Sequence, residues 1–190
     1  QLDFLKKDLA NVDRSKTPWV VAAGHRPWYM AAKAKDLCTV CQEEFEQVLN
    51  DYGVDIIFNG HQHNMQRQTA IGPKGAIDAD GLNNPKAPVY ILTGAAGHFD
   101  GLDSANTPYP SYTQFVNDTL YGYSKVTFHN RTHRKYLDRN QAIHKRRAGE
   151  RIREKIADTF CFASNQTVTH EFISSATNNV LDSATLFKQH

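Results

Sequence analysis

Val54-Asp55-Ile56-Ile57-Phe58-Asn59-Gly60-His61-Gln62-His63 is the stretch on which the fold turns. A short β-branched run that ends in glycine reads as a buried strand that stops abruptly, and it hands two imidazoles to the loop at its carboxyl end. In open α/β sheets, ligands and catalytic groups collect at that end. Histidines two residues apart would point to opposite faces of a continuing strand, so the loop must curl before both can meet one centre. Gly60 is the residue expected to permit the curl. Spacing alone leaves two readings open, because neutral imidazole is the commonest metal ligand and surface loops also carry histidine.

Upstream, Pro18-Trp19-Val20-Val21-Ala22-Ala23-Gly24-His25 repeats the design: apolar strand, glycine, histidine. Two strands that both end in Gly-His strengthen the case for a converging site beyond what either gives alone, and a His25 simply satisfied in the core stays the open alternative. Arg26-Pro27-Trp28-Tyr29 leaves this strand as a turn, since proline cannot extend it. Residues 30–40 are polar and alanine-rich without a clear period and read as a loop over the site. Phe45, Val48, Leu49 and Tyr52 form the apolar stripe of a helix over Cys41 to Tyr52, with Gly53 placed to end it. Strand, helix, strand predicts a right-handed crossover between parallel neighbours.

Further along, Met65 to Ile71 is a candidate strand and Gly72 to Pro88 a long loop. Pro88 to Gly94 is another buried strand, closed by the small residues of Gly94-Ala95-Ala96-Gly97-His98. Leu102 to Leu120 reads as polar and turn-rich, and Tyr121 to Asn130 alternates as a strand. Thr169 to Ser175 and Val180 to Phe187 form a pair joined by residues 176–179, the length of a hairpin connection. At the amino end, Leu2, Leu5 and Leu9 share one face of a helix already in progress at Gln1.

The 190 residues suffice for one core, and one domain is the default. No apolar run reaches the roughly 18 residues of a membrane span, and no secretory leader pattern opens the chain. Net charge is +2 but is unevenly placed, because residues 134–167 hold nine Lys/Arg against four Asp/Glu while the remainder is net acidic. Three cysteines exclude a disulfide framework and a four-cysteine zinc site, leaving Cys38-Thr39-Val40-Cys41 as a local disulfide or two buried thiols. The triplet Asn-x-Ser/Thr occurs at Asn117, Asn130 and Asn165, with Asn117 and Asn130 the candidate glycosylation sites.

Taken together, Gly24-His25-Arg26-Pro27-Trp28-Tyr29, Gly60-His61-Gln62-His63 and Gly94-Ala95-Ala96-Gly97-His98 resemble the carboxyl-terminal part of a purple acid phosphatase of fungal type. The likeness continues through Gln1-Leu2-x-Phe4-Leu5, Thr17-Pro18-Trp19, Tyr121-Gly122-Tyr123-Ser124 and Val180-Leu181-Asp182-Ser183. It implies an α/β class and a partial calcineurin-like metallophosphoesterase fold, two packed mixed β-sheets flanked by helices, whose N-terminal half is missing. On this expectation residues 1–190 are the C-terminal portion of the catalytic domain of a secreted enzyme. That enzyme hydrolyses phosphate monoesters with iron and a second divalent metal, either zinc, manganese or iron. The resemblance makes His25 and His61 ligands of the divalent metal and His63 a ligand of the ferric ion.

The departures from the family pattern carry as much weight. Its motifs Gly-Asp-x-Gly, Gly-Asp-x-x-Tyr and Gly-Asn-His-Asp/Glu, with the bridging aspartate, do not occur in this sequence. Three imidazoles without a bridging carboxylate do not hold two metals about 3.5 to 4 Å apart, so the chain alone is expected to be inactive. The loop Met30 to Val40 contains no histidine, which leaves the general acid unassigned.

Residues 134–167 fall outside the resemblance and separate Asn130-Arg131-Thr132-His133 from Thr169-His170-Glu171-Phe172, which the family carries almost adjacent. A foreign basic insert, read as a translated, unspliced intron, is the expectation, and an exposed or poorly packed segment follows from it. Codons CGT-AAG-TAT for Arg134-Lys135-Tyr136 would contain a donor-like GTAAGT, and ACA-GTC for Thr167-Val168 an acceptor-like CAG. Joining the remaining bases would give a leucine codon. An inserted helix carrying Ile143, Ile152 and Ile156 is the competing reading. The alternative function, a non-enzymatic polyanion or nucleic-acid binding module, would use the basic residues 134–155. That segment has no aromatic interleaving beyond Tyr136, so a solvated basic face is favoured over a nucleic-acid partner.

Overall fold

A computed structural model describes residues 1–33, 36–129 and 165–189. Helix α1 spans Leu2–Ala10 and directs Leu9 inward. A polar connection leads to β1, Val21–Gly24, and helix α2, Thr39–Asp51, follows. Strand β2, Ile56–Asn59, lies parallel to β1 with Val21 opposite Ile56 and Gly24 opposite Asn59. The crossover predicted from sequence is therefore present. The expected glycine stop is also there: Gly53 sits at φ 65°, Gly53 N–H donates to Asn50 O (2.9 Å) and Val54 N–H to Leu49 O (2.9 Å). These two bonds satisfy carbonyls that a helix end leaves unpaired.

Strand β3 (Met65–Gly72) runs through a short 3₁₀ turn into β4 (Ala76–Ile77), and β5 (Val89–Thr93) follows. β5 pairs parallel with β2, while β3 pairs antiparallel with β5 and β4. Strand β6, Thr113–Asn117, pairs antiparallel with β3. The first sheet thus runs β1-β2-β5-β3-β4 with β6 also beside β3. β6 lies where the sequence reads as turns. Its residues are mostly half-buried, and without a strong apolar alternation its strand depends on hydrogen bonds offered by β3.

A second sheet, β7-β8-β9, is wholly antiparallel: Gly122–His129, Asn165–Ser174 and Val180–Gln189. Its inner face, with Val168, Phe172 and Leu186, closes on Ile56, Met65, Val89 and Ile91 of the first sheet to make the larger core. On the other face of the first sheet, Leu9, Leu49, Val54, Ile57 and Tyr90 form a second core beneath the helices. The fold class expected from the sequence, packed sheets flanked by helices, is the one observed.

Two readings need correction. Residues 30–40 were expected to be a polar loop over the site, yet Met30 and Ala31 are each 1% exposed. The Gln66 side chain holds them as a strand neighbour would: Ala31 N–H donates to its Oε1 (2.7 Å) and its Nε2 donates to Ala31 O (3.3 Å). Second, the expected insert 134–167 overlaps a strand at its end. Asn165, Gln166 and Thr167 pair with Gln189, Lys188 and Phe187, and Thr167 also faces His129. The rest of that segment, with Asn130, lies outside the described residues. Of the two options for Cys38 and Cys41, the disulfide is present, at the start of α2. Among the described residues no helix is long and apolar enough to cross a membrane.

Candidate metal site

Parallel alignment of β1 and β2 brings their carboxyl ends side by side, so the two Gly-His steps become neighbours. His25 Nε2 and His61 Nδ1 stand 3.3 Å apart, their rings edge to face at 5.2 Å between centroids. His25 is exposed, which removes the core-histidine reading. Asn59, 4% exposed, fixes the turn beneath it by donating from Nδ2 to Gly24 O (3.0 Å) and Arg26 O (3.4 Å). An open depression of about 350 Å³ lies here, lined by residues that include His25, Phe58, Gly60 and Thr93.

The curl after β2 forms differently from the expectation. Gly60 is not left-handed; His61 is, at φ 72°. Gln62 N–H then donates to Gly60 O and Asn64 N–H to Gln62 O, both at 2.9 Å, which tightens the loop into successive short turns. A positive φ at a residue with a β-carbon is uncommon, and histidine is among the types that tolerate it. Such a conformation persists where the surroundings over-determine it, as happens at functional sites.

His63 turns to the far side of this loop, toward the segment after β5. Its backbone N–H donates to Asp103 Oδ2 (2.8 Å), Asp103 N–H donates to His63 O (3.1 Å), and Asn64 Nδ2 donates to Asp103 O (3.0 Å). The imidazole Nδ1 is buried without a hydrogen-bond partner, 3.8 Å from Asp103 Oδ2. The His98 ring lies beside His63 at 4.4 Å between centroids. Asp103 fixes the His63 backbone, and its carboxylate lies near the ring without a hydrogen bond to it. Sequence reasoning passed over Asp103 and Asn59, since neither adjoins a histidine motif and only the folded loops bring them in.

Burial, more than the nearby charges of Arg26 and His25, lowers the His61 pKa and so favours the neutral ring, the form that donates to a cation. The donor set fits part of a metal centre. His25 and His61 offer adjacent ring nitrogens, and the backbone of His63 is fixed by Asp103. Among the described residues, however, no group of three or more His, Cys, Asp or Glu side chains is placed to hold an ion.

Comparison with known proteins agrees with this architecture. Residues 1–65 match the family model of the calcineurin-like phosphoesterases, and residues 87–136 that of the iron/zinc purple acid phosphatase-like protein C. "Acid phosphatase A" of Cryphonectria parasitica is 35% identical over 190 residues, covering 100% of this chain and 31% of that protein. "Purple acid phosphatase 15" of Arabidopsis thaliana is 42% identical over 111 residues, 57% of this chain and 20% of that protein. A purple acid phosphatase isolated from yellow lupin (Lupinus luteus) seeds superposes with a TM-score of 0.70 at 18% identity, covering 100% of this chain and 28% of that one. The chain spans about a third or less of the length of these proteins.

Proposed function

We propose, for a chain that belongs to the purple acid phosphatase family of calcineurin-like phosphoesterases, that His25, His61 and His63 are its contribution to a dinuclear metal centre hydrolysing phosphate monoesters. His25 and His61 would hold the divalent ion, and His63 the iron. The observation that carries this reading is the approach of His25 Nε2 to His61 Nδ1 at the adjoining ends of two parallel strands. Imidazole nitrogen suits iron and zinc alike. When bound, the metals supply Lewis acidity toward phosphoryl oxygen and lower the pKa of water. The chain's own residues orient the donors: Asn59 fixes the turn under His25, the left-handed His61 aims its ring toward that turn, and Asp103 fixes the backbone of His63.

The Cys38–Cys41 disulfide supports an oxidising compartment and so a secreted parent protein. Asn117 is the described candidate for glycosylation; it ends β6 with Oδ1 accepting from Leu120 N–H (2.9 Å), which leaves Nδ2 as the atom that would carry a glycan. The polyanion-binding alternative rests on residues 134–155, outside the described set, and gains no support from the rest.

Calorimetric titration of the chain with Zn²⁺ or Co²⁺ tests the ligand assignment. His25→Ala and His61→Ala should each weaken binding of one ion about tenfold or more, whereas His129→Ala, on the outer sheet, should leave it unchanged. Equal affinity in all three variants overturns the assignment.

A further inference from the structure

Among the described residues, the joint between the two sheets contains one buried imidazole. On β8, Val168, His170 and Phe172 share the inward face, and the register places Leu186, Ala184 and Asp182 of β9 opposite them and Phe128, Val126 and Ser124 of β7 on the other side. His170 is 4% exposed, its ring edge-on to Phe172 at 4.3 Å and 6.2 Å from that of Phe58 on β2. Nε2 lies 3.0 Å from Ser124 Oγ, while Nδ1 is buried with no partner. The charged groups around it are already committed. Arg67 of β3 is paired with Asp182 of β9 through two bonds of 2.7 and 2.9 Å, and Glu171, the chain neighbour, is paired with Lys125. Farther along the same joint, Lys188 of β9 pairs with Asp55. A small, partly open cavity of about 20 Å³, lined by His170, Arg67 and apolar side chains, is large enough for a single water.

We propose that His170 is an acid-sensitive latch that holds the three-stranded sheet against the first sheet while neutral and releases it on protonation. A proton added at Nδ1 would create a buried N–H donor with no protein acceptor and a charge facing the cation of Arg67; a single water in the cavity could accept the hydrogen bond but could not neutralise the charge. Asp182, the anion that acts on it most strongly, could answer it only by giving up Arg67, and Glu171 only by giving up Lys125. Each outcome leaves a charged or polar group unpaired inside the joint, which is costly. Opening the joint returns the imidazole to water, where it accepts the proton without penalty.

The direction follows from linkage. Burial, more than any charge, brings the His170 imidazole down to about 4 in the closed state, the pull of Asp182 and Glu171 opposing the shift and the cation of Arg67 adding to it. An opened state takes up the proton near the ordinary imidazole value of about 6.5. The latch is therefore intact above about pH 6.5 and weakens as pH falls toward about 4, with the opening equilibrium rising about tenfold per pH unit.

Hydrogen exchange of the whole chain between pH 7 and 4, corrected for intrinsic rates, is the test. Amides of β8 from Val168 to Phe172 should open about tenfold more per unit below pH 6, while Ile57 and Ile91 of the first sheet keep their protection. His170→Gln, which retains a donor toward Ser124 but does not titrate, should flatten the response of β8. An unchanged slope in this variant overturns the proposal. Should the variant fail to fold, the imidazole resonances of the unsubstituted chain decide. A neutral His170 at pH 5 that gains its proton only as β8 opens supports the latch, and ordinary titration near pH 6.5 with β8 protection intact overturns it.

Discussion

At the scale of single residues, close approach by glycine matters most at Gly94. A β-carbon there would stand 1.8 Å from Gln62 O, in the middle of the loop that carries His61 and His63. Gly94 N–H also donates to Asn64 O (3.0 Å), so the end of β5 and the histidine turn are in direct backbone contact. Gly94→Ala must therefore move backbone, and we expect a loss of about 3 kcal/mol in denaturant unfolding together with weakened Zn²⁺ binding. Undiminished metal affinity in a folded variant would show that the turn does not depend on this contact. Asp55 is the second such residue. Fully buried, it accepts from Val20 N–H (2.8 Å), meets Arg14 Nη1 at 2.6 Å and Lys188 Nζ at 3.2 Å, and so ties the approach to β1 to the end of β9. Asp55→Asn would leave both cations without their anion. Because Arg14 is partly exposed, the cost should lie at the lower end for a broken buried pair, about 3 kcal/mol, measurable as a shifted urea midpoint.

Among the elements, the β7–β8 hairpin bears on the basic segment. Register sets Phe128 opposite Val168 and His129 opposite Thr167. If residues 134–167 were removed, His133 would take the place of Thr167, and the connection would shorten from residues 130–166 to the three residues Asn130, Arg131 and Thr132. Three-residue hairpins are common, and no side chain of β8 changes face, since Val168 keeps its position. We expect the deletion variant to fold with the same far-UV circular dichroism and to gain up to about 2 kcal/mol from the shorter closure. Loss of cooperative unfolding would mean that the segment is part of the fold. If the segment is a retained intron, messages lacking it should also be found; genomic codons at the two junctions without donor-like and acceptor-like bases would sink that reading. Sequence legibility at this scale followed burial. Strands β2 and β5 and the glycine stop of α2 stand out because apolar runs and a required φ mark them locally. Strand β6 and the buried stretch Trp28 to Ala31 do not, because partners far away in sequence, β3 and Gln66, hold them in place.

For the molecule as a whole, His25, His61 and His63 were legible as candidates because each follows a glycine or a strand end. Asp103 and Asn59 were not, because their roles arise only when loops 40 and 33 residues away fold against them. Among the described residues, what the proposed site lacks is a carboxylate ligand. His25 and His61 are adjacent, but the Asp103 carboxylate accepts from the His63 backbone N–H while its carbonyl accepts from the Asn64 side-chain amide, and Asp55 lies buried between Arg14 and Lys188. Two cations brought within about 4 Å of each other repel strongly, and a bridging anion is what makes such spacing tolerable in two-metal sites. Imidazoles are neutral donors and cannot provide that compensation. The 190-residue chain, supplied with iron and zinc, should therefore bind at most an isolated cation and show negligible turnover of p-nitrophenyl phosphate, even where calorimetry detects metal. Robust hydrolysis by pure chain, abolished by a chelator and restored by metal, would demonstrate that these residues complete a centre unaided. The same assay with His61→Ala would then establish whether that activity belongs to the site at the ends of β1 and β2.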